Sequence, residues 1–271
     1  MTIERIGDHI LWKRQPPAVV AARFAGWLVL VAATLWCFEI MTRDTIWSFV
    51  LDAPRQGADL VGRMVPPRWG YIQELWWPMW ETLNIATLGT MIAIVMALPV
   101  AFCAARNTTP SVLFVRPIAL FIIVSSRSIN SLIWALLLVS ILGPGSFAGI
   151  IAIGLRSIGF LAKLIYEAIE EIDASQVEAI TATGASGAQT LVYGIWPQIL
   201  PAFAGVCVFR WDINIRESTV LGLVGAGGIG LNLQASLNVL AWPQVTLIFI
   251  VILATVVLSE WVSARVRHAF I

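Results

Sequence analysis

Residues 82–105 read TLNIATLGTMIAIVMALPVAFCAA, 24 positions without one charged side chain. A helix needs roughly 20 mostly apolar residues to cross a hydrocarbon core of about 30 Å, so this stretch reads as a membrane span. Working outward, comparable runs fall at Phe24–Ile40, Leu113–Leu142, Phe147–Ile169, Ile199–Val224 and Val245–Ala264. The composition agrees: of 271 residues 59% are hydrophobic and 12% charged, and the mean hydropathy is +0.85. A soluble domain has about 45–50% apolar and about 25% charged residues. These figures exclude a single soluble core, a collagen, a disordered tail and a nucleic-acid-binding module. The expected fold is therefore an all-α integral membrane protein with six transmembrane helices. Seventeen basic and sixteen acidic residues leave a net charge of +1, which implies no bulk electrostatic partner. Cys37, Cys103 and Cys207 sit in apolar runs at spacings that fit neither a zinc site nor a disulfide framework.

Six spans place both termini on one side. Taking that side as cytoplasmic gives it Arg5, Lys13, Arg14, Arg23, Arg106, Arg116, Arg265 and Arg267, against Arg43, Arg55, Arg63 and Arg68 opposite. The excess of basic residues favours cytoplasmic termini in a cell (inner or plasma) membrane. Met1–Ala22 shows no signal-peptide pattern and is expected to be a polar cytoplasmic arm. Residues 23–79 then hold the first transmembrane helix and an outer interfacial segment. Met41–Met79 is the one long outer excursion, and Trp47, Trp69, Trp76 and Trp77 mark it as lying along lipid headgroups.

Enzyme chemistry is not legible. Gly225, Gly227 and Gly230 spell G-x-G-x-x-G, but the acidic residue a dinucleotide site needs about 20 positions later is missing. The two lysines, Lys13 and Lys163, lie outside any P-loop pattern. His9 and His268 sit in the terminal arms with no paired-ligand spacing, so neither a catalytic residue nor a metal site is expected.

Residues 166–209 lack any basic side chain yet carry Glu167, Glu170, Glu171, Asp173 and Glu178. Within them Glu178–Gly184 reads E-A-I-T-A-T-G, followed after nine residues by Gly194-Ile195-Trp196-Pro197. This resembles the coupling loop of ABC-importer permeases, with Glu178, Ala179, Gly184 and Pro197 matching and Ile180, Gly194 and Trp196 departing. Alanine and glycine leave a smooth knob, and a carboxylate near a helix start suits the macrodipole. Arg127-Ser128-Ile129-Asn130, Phe209–Arg216 and Val224–Gly230 extend the resemblance to the phosphonate- and phosphite-type permeases.

The resemblance implies that residues 80–271 form a type I importer permease domain from the last five helices, with a cytoplasmic coupling loop at about 170–198. It further implies a homodimer, a cytoplasmic ABC ATPase dimer that binds the ATP and Mg, an external substrate-binding protein, and no cofactor in this chain. Gly225, Gly227, Gly228 and Gly230 would form a close-packed outer gate. The expected cargo is a small phosphorus oxyanion (phosphonate, phosphite or hypophosphite), with methionine or another small solute, or a gradient-driven transporter, as alternatives.

The residues themselves point the same way. Inside the spans Arg127, Arg156, Arg210 and Arg216 outnumber Asp212 and Glu217. Guanidinium offers planar, permanently charged donors to phosphate-like oxygens. Each arginine can instead serve an internal ion pair or snorkel to an interface. Arg127, Arg210, Asn214 and Arg216 are the expected translocation-path residues. Asp212 and Arg216, four apart with the acid first, are expected to pair, leaving Arg210, with only Asn214 as a helix partner, freer to meet substrate.

Overall fold

The computed structural model describes residues 2–6, 9–13 and 17–270. Residues 7–8 and 14–16 of the expected arm, with Met1 and Ile271, lie outside the described residues. The chain divides into two compact units, Met1–Asp59 and Leu60–Ile271.

In the first unit β1 (Thr2–Ile6) pairs antiparallel with β2 (His9–Lys13), Thr2 opposite Lys13 and Ile6 opposite His9. The sequence reading expects only a plain polar arm there. Helix α1 (Pro17–Thr42) has 26 residues, about 39 Å at about 1.5 Å per residue. Phe24, Trp27, Leu28, Leu35 and Trp36 are exposed around it, the all-round apolarity of a helix that lipid surrounds. Helix α2 (Trp47–Met64) runs across the boundary between the units. Trp47, Val50, Leu51 and Val61 share one face of it, and Asp52, Arg55, Gln56 and Asp59 share the other, a pattern suited to a membrane surface.

The second unit continues with α3 (Ile72–Ala104), α4 (Val115–Ser128), α5 (Ser131–Leu142), α6 (Ser146–Glu170), α7 (Ala174–Ala182) and α8 (Gly187–Thr190). A π-helical turn, Leu191–Ile195, leads into α9 (Trp196–Leu221), followed by α10 (Ile229–Asn238) and α11 (Trp242–Phe270). Five helical stretches among the described residues are long and apolar enough to cross a membrane: Ala18–Thr42, Trp69–Ala104, Ser146–Glu170, Gly187–Val224 and Trp242–Arg267.

The core is a seam between α3 and α6, the most extensive helix pairing among the described residues. Ala86, Gly89, Ala93, Ala97, Ala101 and Ala104 run as a buried stripe along α3. They face Ala152, Ile153, Leu161, Ala162 and Ile165 of α6. Lipid tails are as apolar as leucine, so such helices associate through close packing of small residues. A Cβ on Gly89 would lie 2.8 Å from Ile153 Cγ2, which shows how tight this seam is.

Two expectations need correcting. The apolar run Leu113–Leu142 is broken: α4 and α5 together are apolar enough to count as the sixth span, but they are bent by 88° at Ile129-Asn130. The Asn130 side chain accepts the Leu132 N–H at 3.1 Å and starts α5 afresh. Ser126 fixes the end of α4 to α6, accepting the Gly159 N–H at 2.9 Å. The second correction concerns α3, which begins at Ile72 instead of Thr82, so Trp76 and Trp77 lie in its first turns and not in an outer loop.

Gly225, Gly227, Gly228 and Gly230 come together between α9 and α10 and pack closely against the chain's own backbone and side chains. Gly145 N–H donates to Gly225 O at 2.9 Å, and Ile229 N–H donates to Thr82 Oγ1 at 2.8 Å. Gly228 has φ +73, and a Cβ there would sit 2.6 Å from Thr82 Oγ1. At Gly222 an added Cβ would meet Gly230 Cα at 2.5 Å, backbone that cannot swing aside. Gly222→Ala is therefore expected to destabilise the purified protein by about 1–3 kcal/mol or more, the cost of overpacking. Gly187→Ala, with nothing within 4 Å of the new methyl, is the matched control and should leave the thermal melt in detergent unchanged.

Candidate functional site

Helix α9 carries five polar or charged residues between Arg210 and Glu217, and its neighbours satisfy them in two groups. Arg210, Asn214 and Glu217 lie within about 60° of one another on the helix circumference, one and two turns apart. Arg210 is 2% exposed; its Nε donates to Ser157 Oγ at 2.9 Å, and its Nη2 lies 3.4 Å from both Glu217 oxygens. Its guanidinium also stacks over Phe160, 5.1 Å from the ring centroid. Asn214 donates to Thr90 Oγ1 at 2.7 Å and to Ser157 Oγ at 3.1 Å. One buried network thus ties α3, α6 and α9 together.

Glu217 also pairs with Arg156 of α6, whose Nη1 reaches Ser131 Oγ at 3.4 Å at the start of α5. Arg210 is therefore not the freer of the two arginines: it is buried and paired with Glu217, while the Arg216 side chain is the more exposed. Burial left it no water, so it takes Ser157 and Glu217 as partners. Arg156, Ser157 and Thr90 are the members of this network that reading single helices misses, because they lie on α6 and α3.

The second group faces α11. Asp212 pairs with Arg216 and accepts the Ser259 hydroxyl at 2.7 Å. The Arg216 side chain remains 49% exposed. Arg127, in the last turn of α4, is exposed and is not part of either group. A cavity of about 340 Å³ opens beside the α4–α5 break, lined by Asn130, Ser131, Arg156, Arg216, Glu217 and Val220. The structure therefore brings Arg216 to a cavity, buries Arg210 and Asn214 behind it, and leaves Arg127 elsewhere.

At the other end of α6 and α9 lies the expected coupling segment. Asp173 caps α7, accepting the Ser175 N–H at 2.9 Å and its hydroxyl at 2.7 Å. These bonds hold the Asp173 carboxyl below its ordinary value, so its contribution to α7 is present at neutral pH and lost only as pH falls through that lowered value. Asp173 N–H donates to Gln198 Oε1 at 2.9 Å, which joins the α6–α7 turn to α9. Glu178 and Ala179 lie exposed on α7, Gly184 is exposed just past its end, and Pro197 is exposed in the first turn of α9. Gly194 is buried beneath Ile180 and Val177, so two of the departures from the resembled motif pack against each other. Glu170 accepts the Arg106 N–H at 2.9 Å and pairs with Arg116 at 3.4 Å, fixing the base of the segment to the α3–α4 turn.

Paired and broken helices around a cationic cavity, with a protruding short helix on one end, define a membrane-transport subunit. The chain belongs to the binding-protein-dependent transport system inner membrane component family, whose pattern matches residues 89–268. It is 41% identical over 213 residues to the phosphite transport system permease protein PtxC of Stutzerimonas stutzeri, covering 79% of this chain and 77% of that protein. It is 38% identical over 225 residues to the phosphate-import permease protein PhnE of Mycolicibacterium smegmatis, covering 83% of this chain and 42% of that one. The fold is similar to the inward-facing MetNI methionine ABC transporter, with a TM-score of 0.65 at 21% identity over 75% of this chain and 99% of that one. The protein is a multi-pass membrane permease component, and such components are not themselves enzymes.

The partners that each arginine leaves behind set its sensitivity. Arg210→Gln loses charge-assisted bonds worth about 1.5–3 kcal/mol each, while Glu217 keeps Arg156. The Arg216 side chain is half exposed but Asp212 is buried, so Arg216→Gln leaves that carboxylate with the Ser259 hydroxyl and should cost about 3 kcal/mol or more. Thermal melts of both purified variants should fall below that of the native chain; a native melt for either would remove its group from the stability account.

Proposed function

We propose that the chain is the permease subunit of an ATP-driven importer that carries a small phosphorus oxyanion inward across the cell membrane. The observation that carries this reading is the cationic surplus inside the spanning helices. Arg156, Arg210 and Arg216 face only Asp212 and Glu217 across the polar cluster, and the cavity beside them is lined by two of the three guanidiniums. Charged groups at membrane depth are costly and mark substrate paths. A phosphorus oxyanion is the cargo such a lining accommodates, and the relatives named for phosphite and phosphate import support it.

In this reading two copies form the pore. Both termini are cytoplasmic, and an external binding protein delivers the substrate. Hydrolysis falls to a separate cytoplasmic ATPase dimer, which binds the ATP and Mg. Glu178, Ala179, Gly184 and Pro197 make the docking surface for that ATPase, and the glycine element Gly225–Gly230 is a rigid closure of the outer end. Arg216 lines the path; Arg210 and Asn214 shape it from behind. Arg127, exposed near the α4 end, serves the path only if it faces the second copy.

Uptake of labelled phosphite by cells holding the complete importer tests the cargo. Methylphosphonate, hypophosphite and phosphate should compete, methionine should not, and uptake should cease when the P-loop lysine of the ATPase is changed. Competition by methionine alone would reassign the cargo. For the docking surface, Ala179→Trp places a large ring on an exposed position that has no packing role. It should leave membrane levels unchanged and reduce substrate-stimulated ATP hydrolysis to near the basal rate.

A further inference from the structure

We infer that the cavity at the α4–α5 break is an oxyanion subsite within the membrane, and that Glu217 is its built-in counter-ion. The inference rests on the importer reading given above. Several observations meet at this place. The backbone leaves helical geometry at Ile129-Asn130, in the middle of an apolar run. At membrane depth, non-helical backbone is tolerated where it is buried in protein or lines a water-filled cavity. The space of about 340 Å³ found there is at the small end of ligand pockets, which span about 300–1,000 Å³.

Its wall is chemically specific. Arg156 presents a side chain that is 30% exposed, Ser131 offers a hydroxyl beside it, and Arg216 presents a guanidinium that is 49% exposed. Across the whole cluster three guanidiniums meet two carboxylates, so one positive charge is uncompensated. Glu217 is placed between Arg156 and Arg210, in contact with the first and 3.4 Å from the second. Arg210 is locked by Ser157 and Phe160 and faces away from the cavity; Arg156 faces into it.

The Glu217 carboxylate holds the donors of Arg156 that a substrate oxygen would use. When a tetrahedral oxyanion enters, Glu217 cedes Arg156 to it and retains Arg210, which can satisfy both carboxylate oxygens. Departure reverses the exchange. The carboxylate competes with the cargo, so the subsite is occupied without becoming a trap, as conduction requires binding that is weak enough to release.

The test is phosphite uptake by cells carrying the complete importer. Arg156→Gln should raise the KM by about ten-fold or more, the cost of a lost charge-assisted bond. Glu217→Gln keeps an acceptor for Arg210 but removes the competitor, so both KM and maximal rate should fall several-fold. A merely structural Glu217 would lower the rate and leave KM alone. Should either variant fail to assemble, Val220→Cys on the cavity wall decides. Its labelling by an anionic thiol reagent, in excess of that of the native chain, should be slowed by phosphite. Unchanged KM in both variants, or labelling indifferent to phosphite in an importer that transports it, overturns the subsite and leaves the importer reading standing. Absence of phosphite uptake by the wild-type importer overturns both.

Discussion

The carboxylate of Glu217, held between two arginines inside the spanning helices, is the contact on which the middle of this protein depends. Without it the Arg156 and Arg210 guanidiniums would share no counter-charge there, and an isolated ion in a membrane interior loses its hydration and gains nothing in return. The contact also crosses between helices. It binds α9 to α6, and through Ser131 it reaches the start of α5. Ser157 and Asn214 extend it to Thr90 on α3. Four helices thereby share one set of polar obligations at the level where lipid offers no alternative partner.

Around that point the molecule uses small side chains to bring backbones close. The alanine stripe of α3 against α6 supplies dispersion contacts where the hydrophobic effect between lipid-bathed helices is weak. The glycine cluster between α9 and α10 does the same at one end of the bundle, where Gly222 and Gly230 meet backbone to backbone. Polar pairing in the middle and tight packing on either side are complementary: the first sets which helices are neighbours, the second fixes how near they come.

The spans were legible because lipid imposes length and apolarity on each helix separately, and those properties are local in the sequence. The pairing of Asp212 with Arg216 is legible for the same reason, as one turn of one helix contains it. The partners of Arg210 are less legible, because Glu217 lies two turns on and Ser157 lies on α6, 53 positions away in the sequence. The bend between α4 and α5 has a visible trace, residues 125–131 reading SSRSINS, polar but for Ile129, inside an apolar run. Averaged hydropathy dilutes seven residues in thirty, and the bend itself is settled by distant contacts, Ser126 to α6 and Arg156 to Ser131. The early start of α3 reflects aromatic residues that serve equally in an interfacial loop and in a first helical turn.

The hydrogen bond from Asp173 to Gln198 has a mechanical consequence. It links the α6–α7 turn to α9, so α6 and α9 are yoked at the end that bears α7. From the bonded residues the two arms to the shared carboxylate are nearly equal: Arg156 lies 17 residues before Asp173, and Glu217 lies 19 residues beyond Gln198. At about 1.5 Å per helical residue the α9 arm is about 28 Å long, and the α6 arm is slightly shorter. A tilt of about 5° at the yoke therefore carries both tips by roughly 2 Å in the same direction. A small rotation at the end that bears α7 thus displaces Arg156 and Glu217 as one unit and leaves their contact intact.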